Sequence, residues 1–544
     1  MLVADSRRVA LIALAAFILF SYGLGTGTLW DEDEARYAQV AVDIIASGDP
    51  FTLRIDGRPW FDKPPLFMWL QAATGRLVGF SEATARVWSA VSGATSVAVT
   101  YLIAQRFYGP QTALVASGIL ATTMEFFVLS RVAVLDALLV ACMLLTLHMV
   151  LVAQEAGTIR SARRAYGWAL VWAGWATAAK TPIGLLFPVA VVGLLWAIRG
   201  EGRRWRQIPL WGVLLYAVIG LNWYAVETWR FGPAFLRAAL SHNVVGRMYT
   251  VVDDQPGPWW YYVPLLMAGT FPWTAFVPSA IVYHFRRRWE LGSQVIGLWV
   301  AVIVVVYSIA ATKLPNYILP VYPLLAIGVA RLCVDAVKGA STDAAGLMRW
   351  AFRLLAITVA IFIGFISVYG VIRHPEALAG LRVPLLIVAS VLSAFPVAAI
   401  VLYYQGRVAS ALLALMLMLP AATPVLVHHT LPAIERYRPM PRLARAARQM
   451  LQPGDMLAAV HLRKSPSLRY YAERPVVWID DPAGLSDVLC RFDRLVLVVP
   501  DWAYREWVAA RLPPTVHTER QDIGHRIVRK DAAGPCAAPA PKSP

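Results

Sequence analysis

Four short clusters in this 544-residue chain carry side chains that bind or move charge. They are Asp31-Glu32-Asp33-Glu34-Ala35-Arg36-Tyr37, Phe61-Asp62-Lys63-Pro64-Pro65, His242-Asn243-Val244-Val245-Gly246-Arg247 and Thr312-Lys313-Leu314-Pro315-Asn316-Tyr317. Each sits at the end of an apolar run. Charge beside hydrocarbon is costly, so a chain that gathers it there has a use for it. Four carboxylates exceed what a helix start needs, and one of them can act as general base toward a hydroxyl or hold a cationic substrate group. Lys63 precedes two prolines that fix the next helix start, which suits a positioned phosphate ligand better than a snorkelling side chain. Arg247 offers a planar fork that matches phosphate oxygens, and Tyr317 adds a hydroxyl donor. With Lys180, from Lys180-Thr181-Pro182-Ile183-Gly184, and Lys313, these groups make a donor-rich pocket for one or more phosphates. Arg131 and Asp136 stand on one very short loop, where they can pair across the turn. His242 on its own reads as a surface histidine.

Elements to hold these groups follow from the composition. The chain is 58% hydrophobic and 15% charged, against roughly 45–50% and 25% in a soluble domain, so the excess belongs in a bilayer. At about 17–25 residues per span, the apolar runs predict ~13 transmembrane helices. The first, from Ala10 to about Gly27 behind Arg7 and Arg8, lacks a small-x-small cleavage pattern and reads as a retained helix. Net charge is +17, but the arginines fall in alternate short loops: Arg160, Arg163 and Arg164; Arg199, Arg203, Arg204 and Arg206; Arg286, Arg287 and Arg288. That is a topology signal placing those loops in the cytoplasm rather than a nucleic-acid surface. The opposite loops hold every charged cluster named above.

Two of those opposite loops are long. Apolar residues recur at helical spacing over Asp33–Ile45 and Pro64–Phe80, as in helices lying on the interface. Beyond the last span, buried strands at Asp455–Val460, Pro475–Ile479 and Arg494–Pro500 alternate with helices at Pro441–Leu451, Asp481–Arg491 and Ala503–Leu512. The predicted organisation is an α-helical polytopic membrane protein with a small C-terminal α/β extracytoplasmic domain. Its transmembrane domain takes residues 1–430, with periplasmic loops 29–82 and 227–258. The α/β domain takes 431–530 and a disordered tail 531–544. Cys142 and Cys333 read as buried hydrophobes, whereas Cys490 and Cys536 can pair outside the cytoplasm.

An acidic-Arg-Tyr first loop, Lys-Pro-Pro, a short Arg…Asp loop, Lys-x-Pro-x-Gly, His-Asn…Arg and Lys-Leu-Pro-x-Tyr follow one another in this order. The series resembles the GT-C membrane glycosyltransferases over residues 8–520, in particular the lipid A aminoarabinose transferase (ArnT) family and its protein mannosyltransferase relatives. The resemblance implies an inverting transferase in the bacterial inner membrane with a periplasmic active site. It would move 4-amino-4-deoxy-L-arabinose from undecaprenyl phosphate to a lipid A phosphate. Transfer to protein Ser/Thr or another glycan is the alternative within the enzymes, and a flippase for lipid-linked sugars is the alternative outside them.

By the same resemblance, Lys63, Arg247 and Tyr317 hold the donor phosphate, and Asp33 and Asp136 are the catalytic carboxylates, with Glu34 beside Asp33. Arg36, Tyr37, Arg131, Lys180, Asn243 and Lys313 complete the nominated substrate contacts. No cofactor is required. A structural divalent metal, zinc, would fall on Asp62 and His242, although the relatives carry Glu where this chain has Asp62. The implied partners are the lipid-linked donor, the lipid acceptor and the surrounding lipids, with the chain acting as a monomer.

Overall fold

Helix Ile183–Arg199 shows how the chain meets its surroundings. Phe187, Val191, Val192 and Leu195 turn inward, while Leu186, Val189, Leu194 and Ile198 stand exposed. An apolar outer face of this kind is tolerable in lipid, where every backbone group is satisfied within the helix. The computed structural model describes residues 2–31, 33–239, 246–252, 255–368, 380–462, 465–509 and 516–530. His242, Asn243, Glu32, Cys536 and the predicted tail 531–544 lie outside the described residues.

The first elements are α1 (Leu2–Ser21), α2 (Asp33–Ser47), α3 (Leu66–Val78), α4 (Glu82–Ala121), α5 (Met124–Leu129), α6 (Asp136–Gln154), α7 (Ile159–Ala179), α8 (Ile183–Arg199) and α9 (Leu210–Gly220). Among the described residues, seven helices are long and apolar enough to cross a membrane, or up to nine if two bent pairs each count as one span. The chain is a multi-pass membrane protein. The sequence-based count of ~13 is larger because it admits helices that are short or basic at one end, such as α1, α7 and α8. It also divides α4, whose helical geometry breaks at Gly109 (φ 81°) just before Pro110. The most enclosed span is Pro315–Val337, packed against α4 and helix Thr342–Ile366.

Small residues let these helices approach closely. A Cβ on Gly212 would stand 2.8 Å from the Gly167 Cα, and one on Gly220 would stand 3.2 Å from the Gly174 Cα. Helices α7 and α9 therefore touch backbone to backbone at two levels, the close packing that membrane helices use in place of a hydrophobic drive.

On one side of the bundle, α2 and α3 form an amphipathic layer whose apolar faces meet through Tyr37, Val40, Ile44, Phe67 and Met68. Strands β1 (Arg54–Ile55) and β2 (Arg58–Pro59) make a small hairpin between them. The C-terminal unit is a five-stranded sheet in the order β4-β3-β5-β7-β6. Its strands are β3 (Met456–Val460), β4 (Val476–Ile479), β5 (Leu495–Pro500), β6 (Val516–Asp522) and β7 (His525–Lys530). β3 runs parallel to β4 and β5, and β7 is antiparallel to both β5 and β6. The three parallel strands fall where unbroken apolar runs predict them, because a sheet buried on both faces needs such runs. The β6–β7 hairpin is absent from the sequence reading: Thr518-Glu519-Arg520-Gln521-Asp522 is polar throughout and gives no apolar period.

Candidate active site

Asp33 opens α2, and Glu34 follows it, yet the two carboxylates end in different surroundings. Glu34 is 1% exposed. Arg86 donates to it from Nε at 2.8 Å and from Nη2 at 2.9 Å, while the Trp30 and Ala133 amides donate at 2.8 and 2.6 Å. Four donors fill the four acceptor sites of a carboxylate, so nothing remains for a proton in flight. Arg86 in turn gives its remaining hydrogens to the carbonyls of Leu24, Thr26, Gly27 and Thr28. Glu34, nominated as catalytic, is thus a structural anchor tying α2 to the top of α4. Asp33 is only half-buried and faces the Tyr37 hydroxyl one turn along. Burial first, and then the Asp33 and Asp136 charges, hold that hydroxyl well above its usual pKa, so Tyr37 acts as a neutral donor.

Asp136 opens α6 and is buried. It does not pair with Arg131. Its Oδ1 accepts from Lys180, which ends α7, and its Oδ2 accepts from Asn316 Nδ2 at 2.7 Å. The Lys180 ammonium also lies 4.8 Å from the centre of the Tyr317 ring. Tyr317 stacks on Tyr307 with ring centres 4.8 Å apart, and its hydroxyl accepts from Arg247 Nη1 at 3.2 Å. Four separate loops thereby converge on one patch.

Lys63 sits in the same field. Burial lowers its pKa first, and repulsion from Arg247 and Lys180 adds to that, with Asp33 and Asp62 pulling the other way; the result is about 8. The nominated phosphate ligands Lys63, Arg247 and Tyr317 are therefore close enough to sense one another, with Lys180 behind them. An anion entering here would relieve the mutual repulsion, which is the electrostatic requirement for a phosphate site.

Two more nominated contacts serve the fold instead. Arg131 donates to the carbonyls of Leu19, Phe20 and Tyr22, closing the C-terminal end of α1. Lys313 points back to the carbonyls of Tyr307, Ser308 and Ala310, which end helix Leu291–Ile309. A helix leaves its last carbonyls unpaired, and a cation at that end satisfies them and complements the dipole. Arg36 stands partly exposed beside Asp33, and Asp62 beside Lys63. Among the described residues no three His, Cys, Asp or Glu side chains stand together as metal ligands, and of the implied zinc pair they include only Asp62. Sequence reasoning missed Arg86, Tyr307 and the role of Asn316. Arg86, in the second turn of an apolar helix, was the readable one, since such a charge demands a carboxylate.

Residues 62–225, which include Lys63, Asp136 and Lys180, match the dolichyl-phosphate-mannose-protein mannosyltransferase family. The chain is 28% identical over 372 residues to undecaprenyl phosphate-alpha-4-amino-4-deoxy-L-arabinose arabinosyl transferase 2 of Pseudomonas fluorescens (strain Pf0-1), covering 66% of each chain. It is 31% identical over 317 residues to arabinosyl transferase 1 of the same strain, covering 56% of this chain and 54% of that one. It thus spans about two thirds of the length of the curated relatives it matches. Its fold is similar to the crystal structure of ArnT from Cupriavidus metallidurans bound to undecaprenyl phosphate. The TM-score is 0.83 at 23% identity, over 98% of this chain and 100% of that one.

Proposed function

We propose that this chain, an ArnT-like member of the GT-C membrane glycosyltransferases, transfers a sugar from a polyprenyl-phosphate carrier to an acceptor. The best-supported donor is undecaprenyl phosphate carrying 4-amino-4-deoxy-L-arabinose, and the acceptor is a lipid A phosphate at the periplasmic face of the inner membrane. The arginine-rich short loops support that sidedness. One observation carries the reading: Lys63, Lys180 and Arg247 arrive from separate loops, close enough for the other two to depress Lys63, with Arg247 donating to the Tyr317 hydroxyl and Lys180 over the Tyr317 ring.

The reaction follows from these positions. An acceptor oxygen attacks the anomeric carbon as the bond from that carbon to the lipid-phosphate oxygen breaks. The electron pair leaves with the polyprenyl phosphate, and the anomeric centre inverts. Lys63, Arg247 and the Tyr317 hydroxyl meet the charge growing on that phosphate, the largest electrostatic demand of the step. Asp136 and Asn316 are positioning residues: Asp136 holds Lys180 over the Tyr317 ring, which fixes the tyrosine face and adds positive potential behind the phosphate. A phosphate acceptor is already ionised near neutrality, so Asp33 then orients the acceptor or the sugar amine. With a hydroxyl acceptor, Asp33 takes its proton. The test is release of undecaprenyl phosphate from a donor carrying labelled aminoarabinose, with lipid A in detergent. Wild-type protein should release it and label lipid A; absence of both would overturn the reading.

A further inference from the structure

The donor-phosphate cluster does not use all the polar space on this side of the molecule. A cavity of about 620 Å³ opens between the first external loop and the C-terminal sheet, with Arg36, Arg58, Trp60 and Asp62 on one wall and Trp478 and Arg469 on the other. It adjoins the reaction site at two points. Asp62 precedes Lys63 in the chain, and Arg36 lies one helical turn from Asp33.

A latch holds its two walls together. The β1–β2 hairpin turns at Asp56 and Gly57, both with positive φ (52° and 76°). A left-handed aspartate is uncommon and persists where its surroundings fix it. Here the Asp56 carboxylate accepts from Trp478 Nε1 at 2.8 Å and from Arg469 Nη1 at 3.0 Å. Arg469 also reaches Asp43 of α2 through Nη2 at 2.8 and 3.0 Å. This arginine is neutralised by two carboxylates. Among the described residues, Arg36 and Arg58 form no ion pair. The cavity therefore offers two uncommitted guanidinium forks and two indoles.

That inventory selects a ligand class. A guanidinium fork matches the oxygens of a phosphate in a way a point charge does not. Indole faces pack against the C–H faces of pyranose rings, and the indole supplies large contact area with few torsions to fix. The donor's lipid tail must stay in hydrocarbon, whereas the far wall here is the C-terminal sheet unit, so a water-borne head group fits this space and a polyprenyl chain does not. We propose that this cavity is the acceptor subsite, taking a phosphorylated saccharide head group between the first external loop and the C-terminal domain. The assignment rests on the transferase reading above, and it gives the C-terminal domain half of the acceptor site.

The experiment uses full-length protein in detergent, with Arg58→Ala and Trp478→Ala variants and Arg58→Lys as the conservative control. Lipid A is titrated at saturating donor. Arg58→Ala should raise the acceptor KM about tenfold or more, Arg58→Lys should raise it less, and the Kd for undecaprenyl phosphate should stay at the wild-type value in both. Because Trp478 also holds the latch, that variant is interpreted only at an unchanged Tm. Calorimetric titration of a water-soluble glucosamine disaccharide bisphosphate supplies a readout independent of turnover. The wild type should bind it more tightly than both the unphosphorylated disaccharide and inorganic phosphate, and Arg58→Ala should lose that preference. Normal turnover with an unchanged acceptor KM in both Ala variants would overturn the subsite alone, whereas a wild-type protein that releases no undecaprenyl phosphate would overturn the transferase reading. Equal affinity for inorganic phosphate would reduce the cavity to an anion site and overturn the saccharide assignment.

Discussion

Two sets of charged groups lie on the same side of this protein and differ in one property, the balance of charge around them. Glu34, Arg86, Arg131 and Lys313 are closed: each spends its donors or acceptors on backbone groups or on one another. Lys63, Arg247, Tyr317 and Asp33 form the open set, in which cations gather: Arg247 donates to the Tyr317 hydroxyl, and the Arg247 and Lys180 charges repel Lys63 while Asp33 opposes them. Removing a closed group should damage the fold, and removing an open group should damage chemistry. The contrast is sharpest at Asp33 and Glu34, which are adjacent in sequence and opposite in use.

The largest expected effect tests the closed set. Glu34→Ala strands Arg86 in a buried site, and breaking such a pair costs about 3–5 kcal/mol, read as a drop in Tm with loss of folded protein. Asp33→Asn should leave Tm unchanged and lower transfer. If Glu34→Ala were as stable as wild type, the division between the two sets would fail at its clearest point. Next, Lys63→Ala or Arg247→Ala should lower kcat/KM for transfer by about 10²–10³-fold with an unchanged Tm, the usual cost of removing one donor to a developing anion. A smaller loss is expected for Lys313→Met. Its unpaired carbonyls should cost about 1–3 kcal/mol, visible in thermal unfolding, while undecaprenyl phosphate binding stays at the wild-type level.

The smallest effect is in pH dependence. The Lys63 pKa is depressed from 10.5 to about 8, so its cation is present below that pH and is lost as pH rises through it. Donor kcat/KM should be flat below about pH 8 and fall above it, approaching about tenfold per pH unit for a single proton. Lys63→Arg should remove that break, because guanidinium stays charged. A break that persists in Lys63→Arg would assign it to another group.

Much of this division was beyond local sequence reasoning, for a physical reason. That the clusters holding Lys63, Lys180, Arg247 and Tyr317 come together was legible because their loops alternate with arginine-rich ones along the chain. The helices around Asp33–Ser47 and Leu66–Val78 were legible from helical spacing, and β3, β4 and β5 from apolar runs. Partner choice was not. Asp136 takes Lys180, 44 residues away, and Asn316, 180 residues away, whereas adjacency on a short loop had suggested Arg131. Lys313 lies between an apolar helix and the Tyr317 motif, and its sequence context cannot say that it turns back to carbonyls three to six residues earlier. The C-terminal unit shows the same limit: Trp478 and Arg469 reach the first loop across more than four hundred residues.

The most direct test of the open cluster is the Kd of undecaprenyl phosphate for wild type, Lys63→Ala and Lys313→Met, measured in one detergent at one pH below 8 with Tm recorded for each. Lys63→Ala should bind at least about tenfold more weakly at an unchanged Tm, and Lys313→Met should bind as wild type at a lowered Tm. A Lys63→Ala protein that is folded and binds undecaprenyl phosphate with wild-type affinity would contradict the phosphate site.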